Sequence, residues 1–288
     1  MLAADSEVSV PLGVRLMLGR AAVQTIAQRA GVDLLHIKGN AVDPELREST
    51  AIGSDIDFLV EPAGVEPLDR ELRRHGWRVY STFTWGSPFG HAQTYTHEVW
   101  GYADLHRCFP GIRTDASSAY ALLSSRSYMV EFGGTPCRVP GVVEQAAILV
   151  LNAARGGGGG VDLRRVWRDA APDRRREIEE VIDALDARVA FSAATGDLEA
   201  YRHERDYRLW KVISEGGSRS AEWWARVRAA PTFGQALRII GRVPLVNVEN
   251  LSHRLGRQAS RGEIFVEFFA RPARAVGDMR QARTRSAR

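Results

Sequence analysis

Residues 34–60 read LLHIKGNAVDPELRESTAIGSDIDFLV, and this stretch decides the fold. A first apolar run, Leu34 to Ile37, ends in a Lys-Gly pair, and a second, Ser54 to Val60, carries two aspartates one residue apart. Side chains alternate faces along a β-strand, so Asp55 and Asp57 lie on the same face. Two neighbouring carboxylates repel each other unless a cation lies between them. The stretch therefore predicts two strands that hold a cation beside a turn.

The residue types at this place indicate which cation and which substrate. Carboxylate oxygens are hard ligands of the kind that Mg²⁺ or Mn²⁺ prefers. Only two of the 39 basic residues, Lys38 and Lys211, are lysine, so this chain uses arginine almost everywhere else. A lysine kept beside Gly39 favours a compact ammonium that contacts phosphate. A divalent metal next to a Lys-Gly turn is typical of proteins that handle phosphate groups.

Composition excludes several other classes of protein. The 288 residues, 44% hydrophobic and 26% charged, suit one large globular domain or two modest ones. The two cysteines, Cys108 and Cys137, provide neither a disulfide framework nor a zinc spacing. The apolar run Val142 to Ala154 is too short to span a bilayer, and the N-terminus has no basic segment of a signal peptide. We expect a cytoplasmic protein with no membrane partner.

The charge excess lies mostly at the C-terminal end. The net charge is +4 and the isoelectric point is near 9.3, which is weak support for an anionic partner. Residues 271–288 carry six arginines against one acidic residue, Asp278. We expect a basic, disordered tail there, and nucleic-acid binding is the less favoured interpretation.

Apolar spacing and turn residues predict the order of elements. Helices are expected at 12–30, 65–75, 117–126, 140–153, 161–170, 174–194, 199–213 and 220–229. Strands are expected at 32–37, 54–60, 77–83, 93–100, 102–109, 128–132 and 137–139, with 93–109 read either as two strands or as one bent at Gly101. Gly39 to Arg47 reads as a short helix or turn, Gly156 to Gly160 as a surface loop, and Phe265 to Phe269 as a last short element. Asp162 would complement the dipole at a helix start.

A third carboxylate, Asp104, lies on a later strand in the run Asp104-Leu105-His106. With it, the organisation resembles the polymerase-β-like nucleotidyltransferase superfamily, and most closely a bacterial branch in which a Lys-Gly pair replaces the usual Gly-Ser. The resemblance covers about residues 12–170. The matching pieces are Leu35-His36-Ile37-Lys38-Gly39, Ser54-Asp55-Ile56-Asp57-Phe58-Leu59-Val60, Gly76-Trp77 and Ala103-Asp104-Leu105-His106.

The resemblance implies a reaction and a role for each residue. An acceptor hydroxyl would attack the α-phosphorus of a nucleoside triphosphate such as ATP, and pyrophosphate would leave. Two metal ions would be held by the catalytic carboxylates Asp55, Asp57 and Asp104. Four residues would bind the nucleotide: Lys38, Gly39, Ser54 and Arg47. The acceptor stays open and is a small molecule, a protein, a peptide or an RNA.

The resemblance also implies an α+β fold: a small mixed β-sheet with flanking helices, followed by a mostly helical C-terminal part. We expect a catalytic domain over residues 1–140, a helical domain over 141–270 and the tail over 271–288. Two departures from the family pattern bear on the assignment of phosphate binding more than on that of metal binding. Asn40 stands where the superfamily prefers a small residue, and the connection from Asn40 to Asp55 is slightly long.

Other interpretations of the same residues remain. Two alternatives stay open: a non-catalytic nucleotide-binding or nucleic-acid-interacting protein on the same fold, and an enzyme for a related phosphotransfer. His36, His97, His106 and Cys108 could suggest zinc, but their spacing fits no closed ligand set. Trp77, Trp85 and Trp100 could stack a base, although packing is the better expectation. His106, two residues after Asp104, is expected to support a metal ligand.

Overall fold

The structure is a computed structural model that describes residues 10–47, 53–85, 87–156 and 160–241, together with isolated positions beyond them (251, 255, 259–263, 265, 266 and 270). Within these residues no helix combines the length and the apolar character that crossing a lipid bilayer requires. The expected element at Phe265 to Phe269 and the tail lie wholly or largely outside the described residues.

The first part of the chain forms a five-stranded mixed sheet with flanking helices. Its elements are α1 (Leu12–Arg29), β1 (Leu34–Ile37), β2 (Asp55–Val60), α2 (Val65–Arg74), β3 (Arg78–Ser81), β4 (Ala92–His97), β5 (Gly101–His106) and α3 (Ala116–Ser125). The strand order is β1-β2-β5-β4-β3. Only β2 and β5 run parallel, and the other neighbours are antiparallel.

A two-stranded hairpin and a set of helices follow. The hairpin is β6 (Tyr128–Phe132) with β7 (Thr135–Val139). The helices are α4 (Val142–Ala153), α5 (Val161–Leu163), α6 (Pro172–Ala184), α7 (Arg188–Thr195), α8 (Tyr207–Ser214), α9 (Arg219–Ala229) and α10 (Phe233–Gly241). Short 3₁₀ turns lie at Gly39–Ala41, Pro62–Gly64, Ala154–Gly156 and Leu198–Tyr201, and a π-helical turn, Arg164–Arg168, extends α5. The α+β fold expected from the sequence is confirmed.

The two faces of the sheet pack against different partners. Ile56 and Phe58 of β2 are fully buried on one face with residues of α1 and α2. Gly19 permits the close approach of α1, because a Cβ there would lie 2.5 Å from the Ile56 side chain. The opposite face places Leu59 in a second core cluster with α4 and the later helices. The sheet and the helical half thus share a core, and a domain boundary at residue 140 remains a prediction.

Two expected helices are wrong in their extent. The run 174–194 is divided into α6 and α7, with Asp186 at a positive φ of 48° between them. The break is stabilised from a distance, since the backbone amides of Arg113 and Thr114 donate to the carbonyl of Leu185. The run 199–213 is a 3₁₀ turn followed by α8, which begins only at Tyr207. Strands β4 and β5 are separate, as the first of the two readings of residues 93–109 expected.

Candidate active site

The three aspartates predicted from the sequence lie on one face of two neighbouring strands. Asp55 opens β2, and Asp57 follows two residues later on the same face. Asp57 is the Cα partner of Asp104 across the parallel pair β2 and β5. Side chains in register on parallel strands point the same way, so all three carboxyl groups face the same side of the sheet, and ligand atoms of Asp57 and Asp104 lie within 4.8 Å of each other. Asp57 is 3% exposed, whereas Asp55 and Asp104 are half-buried.

Asp57 is held as a carboxylate by two partners. The Lys38 ammonium forms an ion pair with Asp57 Oδ1, and His106 Nε2 lies 2.8 Å from the same oxygen. Burial alone would raise the pKa of Asp57, but Lys38 and His106 hold that pKa well below its usual range. His106 is itself fully buried, and its pKa falls to about 4 because of burial and the nearby Lys38. A neutral His106 therefore donates to Asp57, and its role toward a metal ligand stays a prediction.

The charges of the other two carboxyl groups are less fully compensated. Burial and the charge of Asp57 raise the pKa of Asp104 to about 6, against a weaker opposing hydrogen bond from Thr94. Burial and Asp57 also raise the pKa of Asp55. Ligand atoms of Asp57, Asp104 and His106 all lie within 4.8 Å of one another. A raised carboxyl pKa means that the negative charge is poorly stabilised, and a bound cation would stabilise it.

The Lys-Gly turn beside these carboxylates has an unusual backbone. Lys38 has φ 55° and ψ −178°, and Gly39 has φ 54°. A residue with a side chain pays steric strain at positive φ, and such strain concentrates at functional sites. Gly39 is required twice, since a Cβ there would also approach Arg20 Nη2 to 3.1 Å. The chain therefore accepts strain at Lys38 in order to place its ammonium against Asp57.

Arg20 of α1 holds this turn and was not recognised from the sequence. Its fully buried guanidinium donates to Lys38 O at 3.0 Å, Asp57 O at 3.0 Å and Asn40 Oδ1 at 2.6 Å. Burial lowers the pKa of Arg20 to about 10, which leaves it charged. The sequence signal was an arginine on the buried stripe of α1, four residues after Leu16. Asn40, a departure from the family pattern, is thereby explained as a partner of Arg20.

Arg47 and Ser54 lie near the site with different surroundings. Arg47 forms a two-pronged ion pair with Asp162, and its Nη1 donates to Gly39 O at 3.3 Å. Asp162 lies in the first turn of α5, as the sequence predicted, and its carboxylate also binds this arginine. Ser54 Oγ is exposed and donates to Asp55 Oδ1 at 3.2 Å.

Two further residues approach the cluster from other parts of the chain. His91, 3% exposed, has its ring centroid 5.2 Å from that of His106. Arg155, at the end of α4, is desolvated by burial, which lowers its pKa against the opposing charges of Asp57 and Asp104. Arg155 therefore lies near enough to both carboxylates to interact with them electrostatically. Neither residue carried a motif in the sequence.

The histidines considered for zinc are dispersed. His36 lies on the opposite sheet face, where its Nε2 bonds Gln24 Oε1 at 3.1 Å. His97, at the end of β4, packs against Trp77 and Trp100. Trp77 is 2% exposed, so it belongs to the core, as expected.

No protein-family model and no curated protein matches this chain. Solved structures do match it over most of their own length. The chain covers 96% of the lincosamide antibiotic adenylyltransferase LnuA, in its lincomycin-bound crystal structure, with 58% of its own residues, 11% identity and a TM-score of 0.34. It covers 95% of the antibiotic-resistance factor ANT(2'')-Ia with 66% of its residues, 14% identity and a TM-score of 0.36.

A third match is a nucleotidyltransferase-like protein from Paracoccidioides brasiliensis. The chain covers 93% of it with 62% of its own residues, at 14% identity and a TM-score of 0.39. Structures named as an adenylyltransferase and as nucleotidyltransferase-like are thus among those similar to this chain. Likeness of this degree concerns the fold alone, and the chemistry has to be inferred from the residues of this chain.

Proposed function

We propose that the protein is a metal-dependent nucleotidyltransferase that moves a nucleoside monophosphate from an NTP to an acceptor hydroxyl. The observation that carries this proposal is the register of β2 and β5. It sets Asp57 opposite Asp104, with Asp55 two residues earlier, beside a strained turn that presents Lys38. Three carboxylates beside a cationic turn suit metal-assisted chemistry at a phosphate group.

The residues fit a hard divalent cation. Asp55, Asp57 and Asp104 would hold Mg²⁺ or Mn²⁺, because carboxylate oxygens are the ligands that these ions prefer. The raised pKa values of Asp55 and Asp104 support a site whose negative charge the protein does not fully offset. When bound, the metal would supply positive charge that activates the acceptor hydroxyl and stabilises the leaving pyrophosphate.

The protein groups would act on defined bonds. The acceptor oxygen forms a bond to the α-phosphorus while the bond from this phosphorus to the bridging oxygen breaks, and pyrophosphate leaves with that electron pair. The proton of the acceptor hydroxyl passes to a carboxylate oxygen of Asp104. His106 keeps Asp57 ionised and oriented through its hydrogen bond.

Binding of the triphosphate would fall to the turn and its neighbours. An ammonium has three donors, so Lys38 can bond a phosphate oxygen while it still contacts Asp57. Backbone amides around Gly39 and the hydroxyl of Ser54 would add neutral donors. Among the described residues, the bonds of Arg47 to Asp162 and Gly39 use three of its five N–H groups, so two would be left for a phosphate. Arg155 would supply a further positive charge.

Labelled nucleotides test the proposal. The purified protein is incubated with each of the four NTPs, labelled at either the α- or the γ-phosphate, with Mg²⁺ or Mn²⁺ and a cell extract as the acceptor source. Transfer of α-label with release of γ-label in pyrophosphate, lost in Asp57→Ala, supports nucleotidyl transfer. Transfer of γ-label identifies the alternative phosphotransfer. Normal transfer by Asp57→Ala, or neither transfer nor NTP binding by the wild type, contradicts the proposal.

A further inference from the structure

The segment that follows the Lys-Gly turn, residues 43–47, is tied to the helical half of the protein. Arg47 Nε donates to Asp162 Oδ1 at 3.0 Å, and Arg47 Nη2 pairs with the other oxygen of the same carboxylate. Arg165 Nε donates to Glu45 O at 3.0 Å, and Arg174 Nη2 lies 2.9 Å from Glu45 Oε1. Two separate connections therefore join this segment to the helices after α4.

The two connections differ in what they reach. The Arg47 guanidinium also donates from Nη1 to Gly39 O at 3.3 Å, so it links Asp162 directly to the turn. In the other connection, Arg165 and Arg174 bind the backbone carbonyl and the carboxylate of Glu45. The connection through Arg47 is also the more buried of the two. The side chains of Arg47 and Asp162 are 16% and 30% exposed, whereas that of Glu45 is 59% exposed. A two-pronged contact between a planar guanidinium and a carboxylate fixes orientation as well as distance.

We infer that Asp162 is a positioning residue for the nucleotide site, which it controls by orienting Arg47 against the carbonyl of Gly39. The helical half thereby fixes the conformation of the Lys-Gly turn from outside the sheet. This inference rests on the proposed function for its meaning in catalysis, but its structural part concerns the turn alone.

The energetics of the turn explain why an outside support is needed. Lys38 and Gly39 both have positive φ, a conformation that relaxes unless its surroundings hold it. Arg20 binds Lys38 O from one side, and Arg47 binds Gly39 O from the other. The amide of Val42 donates to the same Gly39 carbonyl at 3.4 Å, so this weak turn hydrogen bond opens if the carbonyl turns away once Arg47 no longer holds it. Asp162 also sets the orientation of the Arg47 guanidinium as a whole.

Hydrogen exchange measures the structural part directly. Backbone exchange over residues 38–47 is compared by mass spectrometry in the wild type, Asp162→Ala, Arg47→Ala and the double variant. We expect exchange of the Ala41 and Val42 amides to accelerate about tenfold in each single variant, since local opening governs such protection. The double variant is expected to add little, because both singles remove the same contact. Glu45→Gln is the matched control and should leave these amides unchanged.

Binding and kinetics test the positioning role. Calorimetry with magnesium tripolyphosphate measures phosphate binding without a base, and Asp162→Ala should weaken it about tenfold, at the lower end of the cost of losing an outer partner. In transfer assays the KM for the NTP should rise by a similar factor with kcat little changed, the pattern of lost uniform binding. Asp162→Glu, which keeps the carboxylate, should restore most of both quantities, which a purely structural role for the position would not predict.

The outcomes separate this inference from the proposed function. Unchanged exchange over residues 38–47 in Asp162→Ala, or equal acceleration in Glu45→Gln, overturns the inference whatever the wild type catalyses. Accelerated exchange together with no nucleotide binding or transfer by the wild type contradicts the proposed function and retains Asp162 as the support of the turn. Accelerated exchange with tripolyphosphate affinity and KM both unchanged overturns the positioning role.

Discussion

Asp57 and Asp104 are partners across neighbouring strands, but their surroundings give them opposite properties. Asp57 is buried with Lys38 and His106 and stays ionised. Asp104 is half-buried near the charge of Asp57, and its pKa rises to about 6. Removing one member of a buried ion pair is costly, because the other charge is left without a partner. A poorly compensated carboxylate, in contrast, destabilises the fold at neutral pH. Substitutions at these two positions should therefore change stability in opposite directions.

For Asp104 we expect Asp104→Asn to stabilise the metal-free protein. A carboxyl group with a raised pKa in the folded state costs stability at pH values above that pKa, and the cost disappears as the pH falls through about 6 toward the unfolded value. The gain at pH 7.5 in EDTA should be about 2 kcal/mol, or roughly 5 °C in Tm. It should shrink steadily between pH 6 and pH 4 in thermal unfolding.

Addition of Mg²⁺ or Mn²⁺ provides the control for that prediction. Metal should raise the Tm of the wild type and leave Asp104→Asn nearly unchanged, since a ligand stabilises only the folded state that binds it. A lower Tm for Asp104→Asn in EDTA at pH 7.5 would contradict the account of this carboxylate.

For Asp57 we expect the reverse effect. Asp57→Asn leaves the Lys38 ammonium without its anionic partner, and should destabilise the metal-free protein by about 3 kcal/mol in urea unfolding. The double variant Lys38→Met with Asp57→Asn should lose less stability than the sum of the two single variants, because the unpaired charge is absent. Additive losses would show that the ion pair contributes nothing to folding.

At the scale of elements, the buried Arg20 of α1 fixes the turn between β1 and β2. It donates hydrogen bonds to oxygens of Lys38, Asn40 and Asp57, and these oxygens are wholly or partly buried. Arg20→Met keeps much of the volume but leaves those acceptors unsatisfied, so we expect a loss of about 3 kcal/mol in the free energy of unfolding. Arg29→Met, at an exposed position of the same helix, should change stability little. Equal effects of the two substitutions would exclude a special role for Arg20.

The turn itself can be probed with glycine substitutions. Gly39→Ala combines the cost of a positive φ with a contact of 3.1 Å to Arg20, whereas Gly134→Ala in the β6–β7 turn has positive φ and open space. We expect Gly134→Ala to cost about 1 kcal/mol of stability and Gly39→Ala to cost more. Calorimetric titration with an NTP should show weaker binding by Gly39→Ala alone. Similar stability and binding in both variants would contradict a close fit between Arg20 and the turn.

The sequence predicted those parts of the fold and site that depend on local patterns. The alternation around Asp55 and Asp57 and the helical spacing after residue 140 each depend on neighbouring residues. The break between α6 and α7 was missed because backbone donors of Arg113 and Thr114, far away in sequence, support it. Arg20 and Asp162 were missed as site partners for the same reason. Contacts across long separations follow from packing, which no local pattern contains.

At the level of the whole molecule, one face of the sheet shares a core with the helical half. Leu59 of β2 packs in the same cluster as α4 and α7, and Arg47 joins the turn to Asp162. Cations approach the carboxylates from three parts of the chain: Lys38 after β1, Arg20 in α1 and Arg155 after α4. A site assembled in this way requires the helical half for its geometry.

Metal-dependent nucleotidyl transfer is tested most simply by comparing Asp104→Asn with the wild type in transfer of α-labelled NTP, in Mg²⁺ or Mn²⁺. This variant is expected to fold at least as stably as the wild type, so a loss of activity would report on chemistry rather than on folding. We expect metal-dependent label transfer by the wild type and a transfer rate at least about 100-fold lower in the variant. Transfer at the wild-type rate by Asp104→Asn would contradict this expectation.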